Sequence, residues 1–271
     1  MTAGEEGAMG SKLAVVTGAS SGIGEATAVA LGSLGWTVVL VARRADELAR
    51  VATLIETRGG TAVPEALDAA DPVAVAAMAE RVRGALGAPT AIVNSAGSGA
   101  WRWPEDTPPE EMERLLDAPF RAAYNVTHAF LSDLMRCGDG VIIHVGSPAS
   151  LAPWPGATGY TVARWALRGY HEALHQDLAG TGVRSCHVIF AEVSSAYFDI
   201  NEHARERRPL LGRLVGVVPP TEAAEVILRT IDRPRLQVVY PPLARWLMTS
   251  HRFAPRVAAW ALRIGRPRRK R

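Results

Sequence analysis

Short runs of apolar, often β-branched residues alternate along the chain with longer segments whose apolar positions recur every three to four residues. The short runs have the length and composition of buried strands, and the longer segments have helical periodicity. Strands are predicted over residues 13–17, 36–42, 61–67, 90–94, 141–146, 183–190 and 236–240. Helices are predicted over residues 23–34, 46–57, 72–86, 109–136, 158–178 and 221–230.

Alternating strands and helices, with strands that are almost continuously apolar, are typical of a parallel sheet covered by helices on both faces. We therefore expect an α/β fold, a Rossmann-type doubly wound parallel β-sheet. One domain should span residues 11–241, between a flexible N-terminus at 1–10 and a basic amphipathic C-terminal extension at 242–271. The irregular segment 194–220 is longer than an ordinary connection between a strand and a helix, which indicates a functional or mobile loop.

The composition fits an ordinary globular protein. The chain has 271 residues, of which 48% are hydrophobic and 21% charged, and this excludes a disordered chain or a collagen-like fibre. Two cysteines, Cys137 and Cys186, give no disulfide framework. Residues 1–12 do not resemble a secretory signal, and the apolar runs are shorter than the ~18 residues of a membrane span. We expect a cytoplasmic protein.

The charge is unevenly distributed. Residues 1–232 hold 19 basic and 27 acidic residues, a net charge of −8, whereas residues 233–271 hold 11 basic residues and no acidic ones. The excess of positive charge thus lies in the C-terminal segment. Residues 1–232, the body of the protein, are acidic and do not have the basic surface charge typical of a nucleic-acid-binding protein.

A glycine-rich segment, TGASSGIG, follows the first strand and opens the first helix. Glycines at such a turn let backbone amides and a helix N-terminus approach a pyrophosphate, and the helix dipole favours the anion. The candidate pyrophosphate-binding residues are Gly18, Ser20, Ser21, Gly22, Ile23 and Gly24.

The end of the second strand predicts which dinucleotide is bound. An acid there holds a ribose 2′-hydroxyl, whereas an arginine accommodates a 2′-phosphate. This strand ends in Arg43 and Arg44 with no acid at its tip. Arg43 is therefore expected to bind the 2′-phosphate, which favours NADP(H) over NAD(H).

Over residues 11–241 the chain resembles the short-chain dehydrogenase/reductase family. The resemblance is carried by TGASSGIG, by Asp68 after the third strand, by the NSAG segment at Asn94–Gly97, and by Ser147 and Tyr160, which are thirteen residues apart. It implies that Asp68 contacts the adenine, that Asn94 lies on the ribose side, and that Ala96 and Gly97 also bind the cofactor. It also implies that Val193 and Ser195 contact the nicotinamide amide and a phosphate, and that the protein is a dimer or tetramer.

The resemblance further implies carbonyl–alcohol chemistry. Reducing a carbonyl with a hydride needs a proton donor, here Tyr160, and a second donor to orient the oxygen, here Ser147. The family keeps a lysine four residues after the tyrosine, which contacts the cofactor ribose, and a helix asparagine that links this lysine to solvent through water. The substrate is then a small molecule that carries a carbonyl or an alcohol.

The chain departs from this pattern at three places. Arg164 stands at the lysine, Pro119 stands at the relay asparagine, and residues 190–195 lack the proline-glycine pair before Val193. An arginine keeps its charge and donors, so Arg164 remains the third candidate catalytic residue, but it does not give up its proton. Arg164 could still contact the cofactor ribose, and both Tyr160 and Arg164 are candidate cofactor-binding residues. A nucleotide-binding protein with little catalysis is the alternative.

Residues 171–175 read HEALH and match the HExxH pattern of zinc proteases. Two histidines four apart on a helix could share a zinc ion. The segment nevertheless lies in a helix that the dehydrogenase resemblance already explains, and no third histidine follows at a suitable spacing. The sequence therefore predicts no metal site, and the protease is a remote alternative.

Several aromatic residues fall on loops at the carboxyl ends of the strands, where ligands bind in open α/β sheets. Either they line an apolar substrate pocket or they serve ordinary loop packing. These residues are Trp101, Trp103, Trp154, Tyr197 and Phe198.

The C-terminal extension is amphipathic and cationic. Phe253, Val257, Trp260 and Ile264 recur at helical spacing with arginines between them, and the basic run 266–271 follows. Such a helix could lie on an anionic membrane, or it could dock on the acidic body or on a partner subunit.

Overall fold

The computed structural model describes residues 12–195, 197, 201, 203–204, 207 and 215–264. Its strands are β1 Leu13–Thr17, β2 Thr37–Ala42, β3 Thr61–Ala66, β4 Ala91–Asn94, β5 Gly140–Gly146, β6 Val183–Phe190, β7 Glu192–Val193, β8 Val217–Val218 and β9 Gln237–Tyr240. Seven of them form one sheet in the order β3-β2-β1-β4-β5-β6-β9, and every neighbouring pair is parallel. The doubly wound parallel sheet is confirmed.

The helices cover both faces of this sheet. They are α1 Gly22–Ser33, α2 Ala45–Glu56, α3 Pro72–Leu86, α4 Pro109–Leu116, α5 Ala122–Cys137, α6 Thr158–Asp177, α7 Pro220–Asp232, α8 Pro242–Phe253 and α9 Pro255–Arg263. Along β1, Ala14 and Val16 pack with α1, α2 and α7, whereas Leu13 and Val15 pack with α3, α5 and α6. Because both faces are buried, the central strands β1, β2, β4 and β5 are apolar at most positions, which is the pattern that the sequence displays.

The helix predicted over residues 109–136 is interrupted. A π-type turn at Asp117–Arg121 separates α4 from α5, and Ala118 within it has an extended backbone (φ −131, ψ 114). Pro119 explains the break, since a proline disfavours the helical conformation of the residue before it. The carbonyl that this frees on Ala118 accepts hydrogen bonds from the backbone N–H and the hydroxyl of Ser98.

A short pairing between β7 and β8 was not predicted. Glu192 and Val193 pair with Val217 and Val218, and the N–H of Ser194 donates to the carbonyl of Val218 at 2.9 Å. Two-residue strands carry no periodicity, so the sequence could not show them. The pairing fixes residues 192–195 beside the carboxyl edge of the main sheet.

The termini are described in part. No helix in the described chain has the length and apolarity needed to cross a membrane. The N-terminal segment 1–11 and the basic run 266–271 lie outside the described residues, and the expected domain bounds remain predictions. Cys137 is exposed, Cys186 is buried, and both are free thiols.

Three histidines are buried between β5, β6 and α6. The ring of His171 lies 5.8 Å from that of His144 and 5.4 Å from that of His187, and its Nδ1 lies 2.8 Å from the hydroxyl of Ser185. Burial lowers the pKa of His144 to about 3 and the pKa of His171 to about 4, and it also lowers the pKa of His187. All three are therefore neutral in the folded protein near pH 7.

These histidines should make the fold sensitive to acid. In the unfolded chain they titrate near pH 6.5, so below that pH the unfolded state binds more protons than the folded state. The free energy of unfolding should fall as the pH drops from about 6.5 to about 4, by up to ~1.4 kcal/mol per pH unit for each histidine. Denaturant unfolding at a series of pH values measures this slope.

His171→Asn should flatten the slope, because the asparagine amide keeps a polar partner for Ser185 without titrating. His128→Asn is the matched control at an exposed position of α5, and it should leave the slope unchanged. Equal slopes in both variants and the native protein would contradict the prediction.

Candidate active site

The glycine turn is held directly against the end of β4. The hydroxyl of Thr17 accepts hydrogen bonds from the backbone N–H groups of Ser95 (3.1 Å) and Ala96 (3.0 Å). Gly18 has φ +66, and a Cβ there would lie 2.9 Å from the Ala96 nitrogen and the Ser95 carbonyl oxygen. Only glycine allows this contact, so the two loops form a continuous floor of the cleft.

The N-terminus of α1 opens toward this floor. Ser21 is its N-cap residue but makes no capping hydrogen bond through its side chain. Gly22 has φ +61, and a Cβ there would lie 3.2 Å from the Cβ of Ser195, which the β7–β8 pair brings to the turn. The uncapped amides of the first helical turn are thus available to an anion. Gly24 is packed instead, since a Cβ there would lie 2.3 Å from the Gly18 carbonyl oxygen.

Two arginines border the cleft after β2. Both Arg43 and Arg44 line it and are exposed, and neither forms an ion pair within the described part of the chain. Arg44 donates through Nη2 to the hydroxyl (3.1 Å) and the carbonyl (3.4 Å) of Ser20. Arg44 was noted in the sequence, but the 2′-phosphate was assigned to Arg43 alone, and the contact between Arg44 and Ser20 was not predicted. Asp68 lines the same end of the cleft.

Asn94 lies apart from the cleft lining. It is buried at the end of β4, where its amide donates to the hydroxyl of Thr127 at 3.0 Å and lies 3.4 Å from Nδ1 of His144. This side chain therefore joins β4 to α5. Its neighbours Ala96 and Gly97 do line the cleft.

Ser147 and Tyr160 lie in the same cleft. Ser147 follows β5, and its Oγ accepts a hydrogen bond from the N–H of Ala149 at 3.3 Å. Since Oγ accepts there, its hydrogen remains to be donated to a ligand. Tyr160 lies in the first turn of α6 and is nearly buried.

Arg164 lies one turn after Tyr160 and is 7% exposed. Its Nη1 donates to the carbonyl of Val145 at 3.1 Å, and its guanidinium carbon lies 5.1 Å from the centre of the Tyr160 ring. Its Nε has no hydrogen-bond partner among the described residues, and no described carboxylate pairs with it. A buried charge in this state is costly, so the arginine fits a cleft whose ligand brings hydrogen-bond acceptors.

An aromatic wall surrounds Tyr160. Trp101 stacks on it with ring centres 5.3 Å apart, and Tyr197 and Trp154 lie at 6.3 and 6.5 Å. Burial raises the pKa of Tyr197, so its phenol stays protonated near neutral pH. Trp103 lies outside the wall beneath the guanidinium of Arg207, and Phe198 falls outside the described residues.

Gly99 makes the aromatic wall possible. A Cβ there would lie 2.3 Å from the Tyr197 hydroxyl and 2.8 Å from Cδ2 of Tyr160. Gly99 follows the NSAG segment, and nothing in the sequence marked it as a neighbour of Tyr160 or Tyr197.

These groups share one cleft of about 1230 Å³, which exceeds the ~300–1,000 Å³ of a typical small-molecule site. One end carries Arg43 and Asp68, and the other carries Tyr160 and Trp154. Its lining includes the candidate residues Gly18, Ser20, Ser21, Gly22, Ile23, Arg43, Asp68, Ala96, Gly97, Ser147, Tyr160, Arg164, Val193 and Ser195. The cleft thus has room for a dinucleotide and a second small molecule.

The HExxH segment is arranged differently from a zinc site. His171 is buried and engaged with Ser185, while Glu172 forms an ion pair with Arg168. Among the described residues, no group of three potential ligands could hold a metal ion. The protease interpretation gains no support from this arrangement.

Comparison with known proteins identifies the family. The family profile described as short chain dehydrogenase matches residues 12–205. The chain belongs to this family. An uncharacterized oxidoreductase of Mycobacterium tuberculosis is 36% identical to it over 229 residues, which are 82% of this chain and 86% of that protein.

Other members of the family are also similar. The M. tuberculosis protein named as oxidoreductase SadH is 34% identical over 167 residues, and the match covers 62% of this chain and 60% of SadH. The match to this relative therefore spans about three-fifths of its length. A metagenomic short-chain oxidoreductase, solved in complex with NADP, is 29% identical with a TM-score of 0.72 and covers 84% of this chain and 94% of that one.

The contact at Gly18 should be essential for binding a nicotinamide dinucleotide. Gly18→Ala adds a Cβ that collides with backbone, so NADPH affinity should fall more than about tenfold. Gly35→Ala is the matched control, because Gly35 also has a positive φ (+79) but nothing lies within 4 Å of its Cβ position.

Both variants carry a left-handed backbone penalty of ~1–2 kcal/mol in stability, and only Gly18→Ala should lose binding. Fluorescence titration with NADPH, with thermal unfolding of each variant, separates the two effects. Equal NADPH affinities for the two variants would show that the contact is dispensable.

Proposed function

We propose that this short-chain dehydrogenase uses NADP(H) to interconvert a carbonyl and an alcohol on an apolar substrate. One observation carries the proposal. Ser147, Tyr160 and Arg164 meet an aromatic wall at one end of the cleft, while the open N-terminus of α1 and the arginines after β2 lie at the other. This is the arrangement that a hydride donor and a carbonyl would need side by side.

The choice of NADP(H) rests on charge. Arg43 and Arg44 are the groups that follow β2, and no acid stands at the strand tip to hold a free 2′-hydroxyl. A 2′-phosphate would pair with guanidinium groups through charge-assisted hydrogen bonds. The NADP complex of the metagenomic relative supports the same choice.

The chemistry follows from the positions of three side chains. The nicotinamide dinucleotide supplies or accepts the hydride when it is bound. In the reductive direction, Ser147 donates its hydroxyl hydrogen to the carbonyl oxygen and orients it. Tyr160 donates its phenol proton to the same oxygen as negative charge develops there.

Arg164 acts on Tyr160 through charge. Its guanidinium lies 5.1 Å from the ring centre in a buried setting, and so it stabilises the negative charge left on the phenol oxygen when the proton is transferred. An arginine keeps its own proton, so the next proton for Tyr160 reaches it from the cleft.

The substrate class follows from the aromatic wall. Trp101, Trp154 and Tyr197 bound the space beside Tyr160. Such walls favour apolar or aromatic groups and exclude water from the reacting oxygen. We therefore infer a carbonyl or alcohol attached to an apolar body.

The alternative is a nucleotide-binding protein with little catalysis, and Pro119 is the observation that favours it. Its side chain offers no hydrogen bond, and Ser98 already occupies the Ala118 carbonyl that the break in the helix exposes. The side chain at this break therefore cannot serve as the relay that the family's asparagine provides.

The cofactor proposal predicts that the native protein binds NADPH at least about tenfold more tightly than NADH, since one charge-assisted hydrogen bond contributes ~1.5–3 kcal/mol. Arg43→Asp should reverse the ratio of the two dissociation constants. Arg58→Asp, an exposed change just after α2, should leave the ratio unchanged. Equal binding of NADH and NADPH by the native protein would contradict the role given to Arg43.

The charge role of Arg164 predicts a graded series of kcat values. Arg164→Lys keeps the charge and should retain or raise kcat, and Arg164→Lys with Pro119→Asn should raise it further by restoring a proton path. Arg164→Met should lower kcat by about a hundredfold or more while the protein stays folded.

Arg168→Lys serves as the control for this series. Arg168 lies one helical turn after Arg164 on α6, but its guanidinium binds Glu172 and the Ser150 carbonyl. If Arg164→Lys and the double variant both abolish an activity that the native protein has, the arginine performs a step that a charge alone does not explain.

A further inference from the structure

The C-terminal helices α8 and α9 form a hairpin beside β9. Ala244 and Leu262 are buried on its inner side, and Leu247 and Met248 line the cleft. The described part of the extension, residues 242–264, therefore packs on the body, which was one of the expected alternatives.

The outer side of the hairpin is apolar as well. Six large apolar side chains there are each between 46% and 82% exposed. We call them the outer apolar face: Leu243, Trp246, Phe253, Val257, Trp260 and Ile264. They make up six of the fifteen large apolar side chains that are exposed in the described chain, although the hairpin is a small part of it. Such a concentration marks an interaction surface.

All charged residues of the hairpin are basic. Arg245, Arg256 and Arg263 are exposed on the same hairpin, and residues 233–271 contain 11 basic residues and no acidic one. Tryptophan and phenylalanine beside arginine suit the boundary between lipid headgroups and acyl chains, and each cation near an anionic bilayer contributes about 1 kcal/mol.

We propose that the outer apolar face binds an anionic lipid bilayer and holds the mouth of the cleft at its surface. With 12 and 9 residues, α8 and α9 are shorter than the ~20 residues of a spanning helix, so the hairpin lies in the plane of the interface. A second copy related by a two-fold axis is a poorer occupant, because it would bring two segments of the same positive charge together.

The hairpin also links the bilayer to the site. The side chains of Leu247, Met248 and Val257 line the cleft, and Val257 belongs to the outer apolar face as well. An apolar carbonyl dissolved in the lipid would therefore reach the aromatic wall along an apolar path. This part of the inference rests on the proposed function, whereas the lipid binding does not.

Sedimentation with vesicles tests the surface. The intact protein should pellet with phosphatidylcholine vesicles that contain about 25% phosphatidylglycerol and not with pure phosphatidylcholine, and binding should weaken several-fold as salt rises to about 0.5 M. The variant Trp246→Ser/Phe253→Ser/Trp260→Ser should bind at least about tenfold more weakly. None of its three positions lines the cleft, so its NADPH affinity should equal that of the native protein.

A matched control removes three exposed apolar side chains elsewhere, Leu34→Ser/Val73→Ser/Met135→Ser, and should keep native vesicle binding. The proposal is overturned if the intact protein ignores anionic vesicles, or if both triple variants bind them equally well. A third outcome would also overturn it: the native protein does not pellet with vesicles, and light scattering shows that the hairpin variant alone is no longer oligomeric. The outer apolar face would then be an interface between copies of the chain.

A kinetic measurement tests the link to the site. Turnover of a long-chain aldehyde presented in anionic vesicles should fall several-fold in the hairpin variant, while turnover of a short water-soluble aldehyde should not change. If the native protein and the hairpin variant turn over the long-chain aldehyde equally fast, the substrate does not reach the site through the bilayer. The proposal that the face binds lipid would be unaffected. Vesicle binding without any turnover would count against the proposed function alone.

Discussion

The cleft depends on the contact between the glycine turn and the loop after β4. Gly18 fits against the backbone of Ser95 and Ala96 with no room for a side chain, and Thr17 holds the same two amides by hydrogen bonds. This contact joins the loop after β1 to the loop that leads to Gly99 and Trp101. The dinucleotide end and the aromatic end of the cleft therefore share one rigid floor.

The aromatic end of the cleft depends further on how Arg164 is packed. This arginine replaces the expected lysine, yet it points into the protein, donates to Val145 and lies over Tyr160. A guanidinium is larger than an ammonium, and space for it comes from Gly97, where a Cβ would lie 2.8 Å from Nη2. The departure at Arg164 is thus accommodated by packing, and a positive charge stays beside Tyr160. Pro119 is accommodated too, because Ser98 satisfies the carbonyl that the broken helix exposes.

Features that depend on local pattern could be predicted from the sequence. The apolar strands, the glycine turn and the spacing of Ser147 and Tyr160 led to the fold and the family, because buried parallel strands and a phosphate-binding turn impose their composition directly. Features that depend on tertiary contact could not. The extended backbone at Ala118, the β7–β8 pair, the contact between Arg44 and Ser20, and the crowding at Gly99 arise from neighbours that are distant in sequence. The hydrogen bond by which the side chain of Asn94 braces β4 against α5 is another such contact, which the motif does not predict.

The central claim is that Tyr160 and Arg164 form a working reductase site and not only part of a nucleotide cleft. A single-turnover reaction with NADPH that carries deuterium in place of the transferable hydride, tested on a panel of apolar aldehydes and ketones, tests it most directly. The claim predicts that mass spectrometry finds deuterium on the carbinol carbon of the product alcohol. Tyr160→Phe should bind NADPH with native affinity and transfer no label. Tight NADPH binding by the native protein with no deuterium transferred to any carbonyl would contradict the claim.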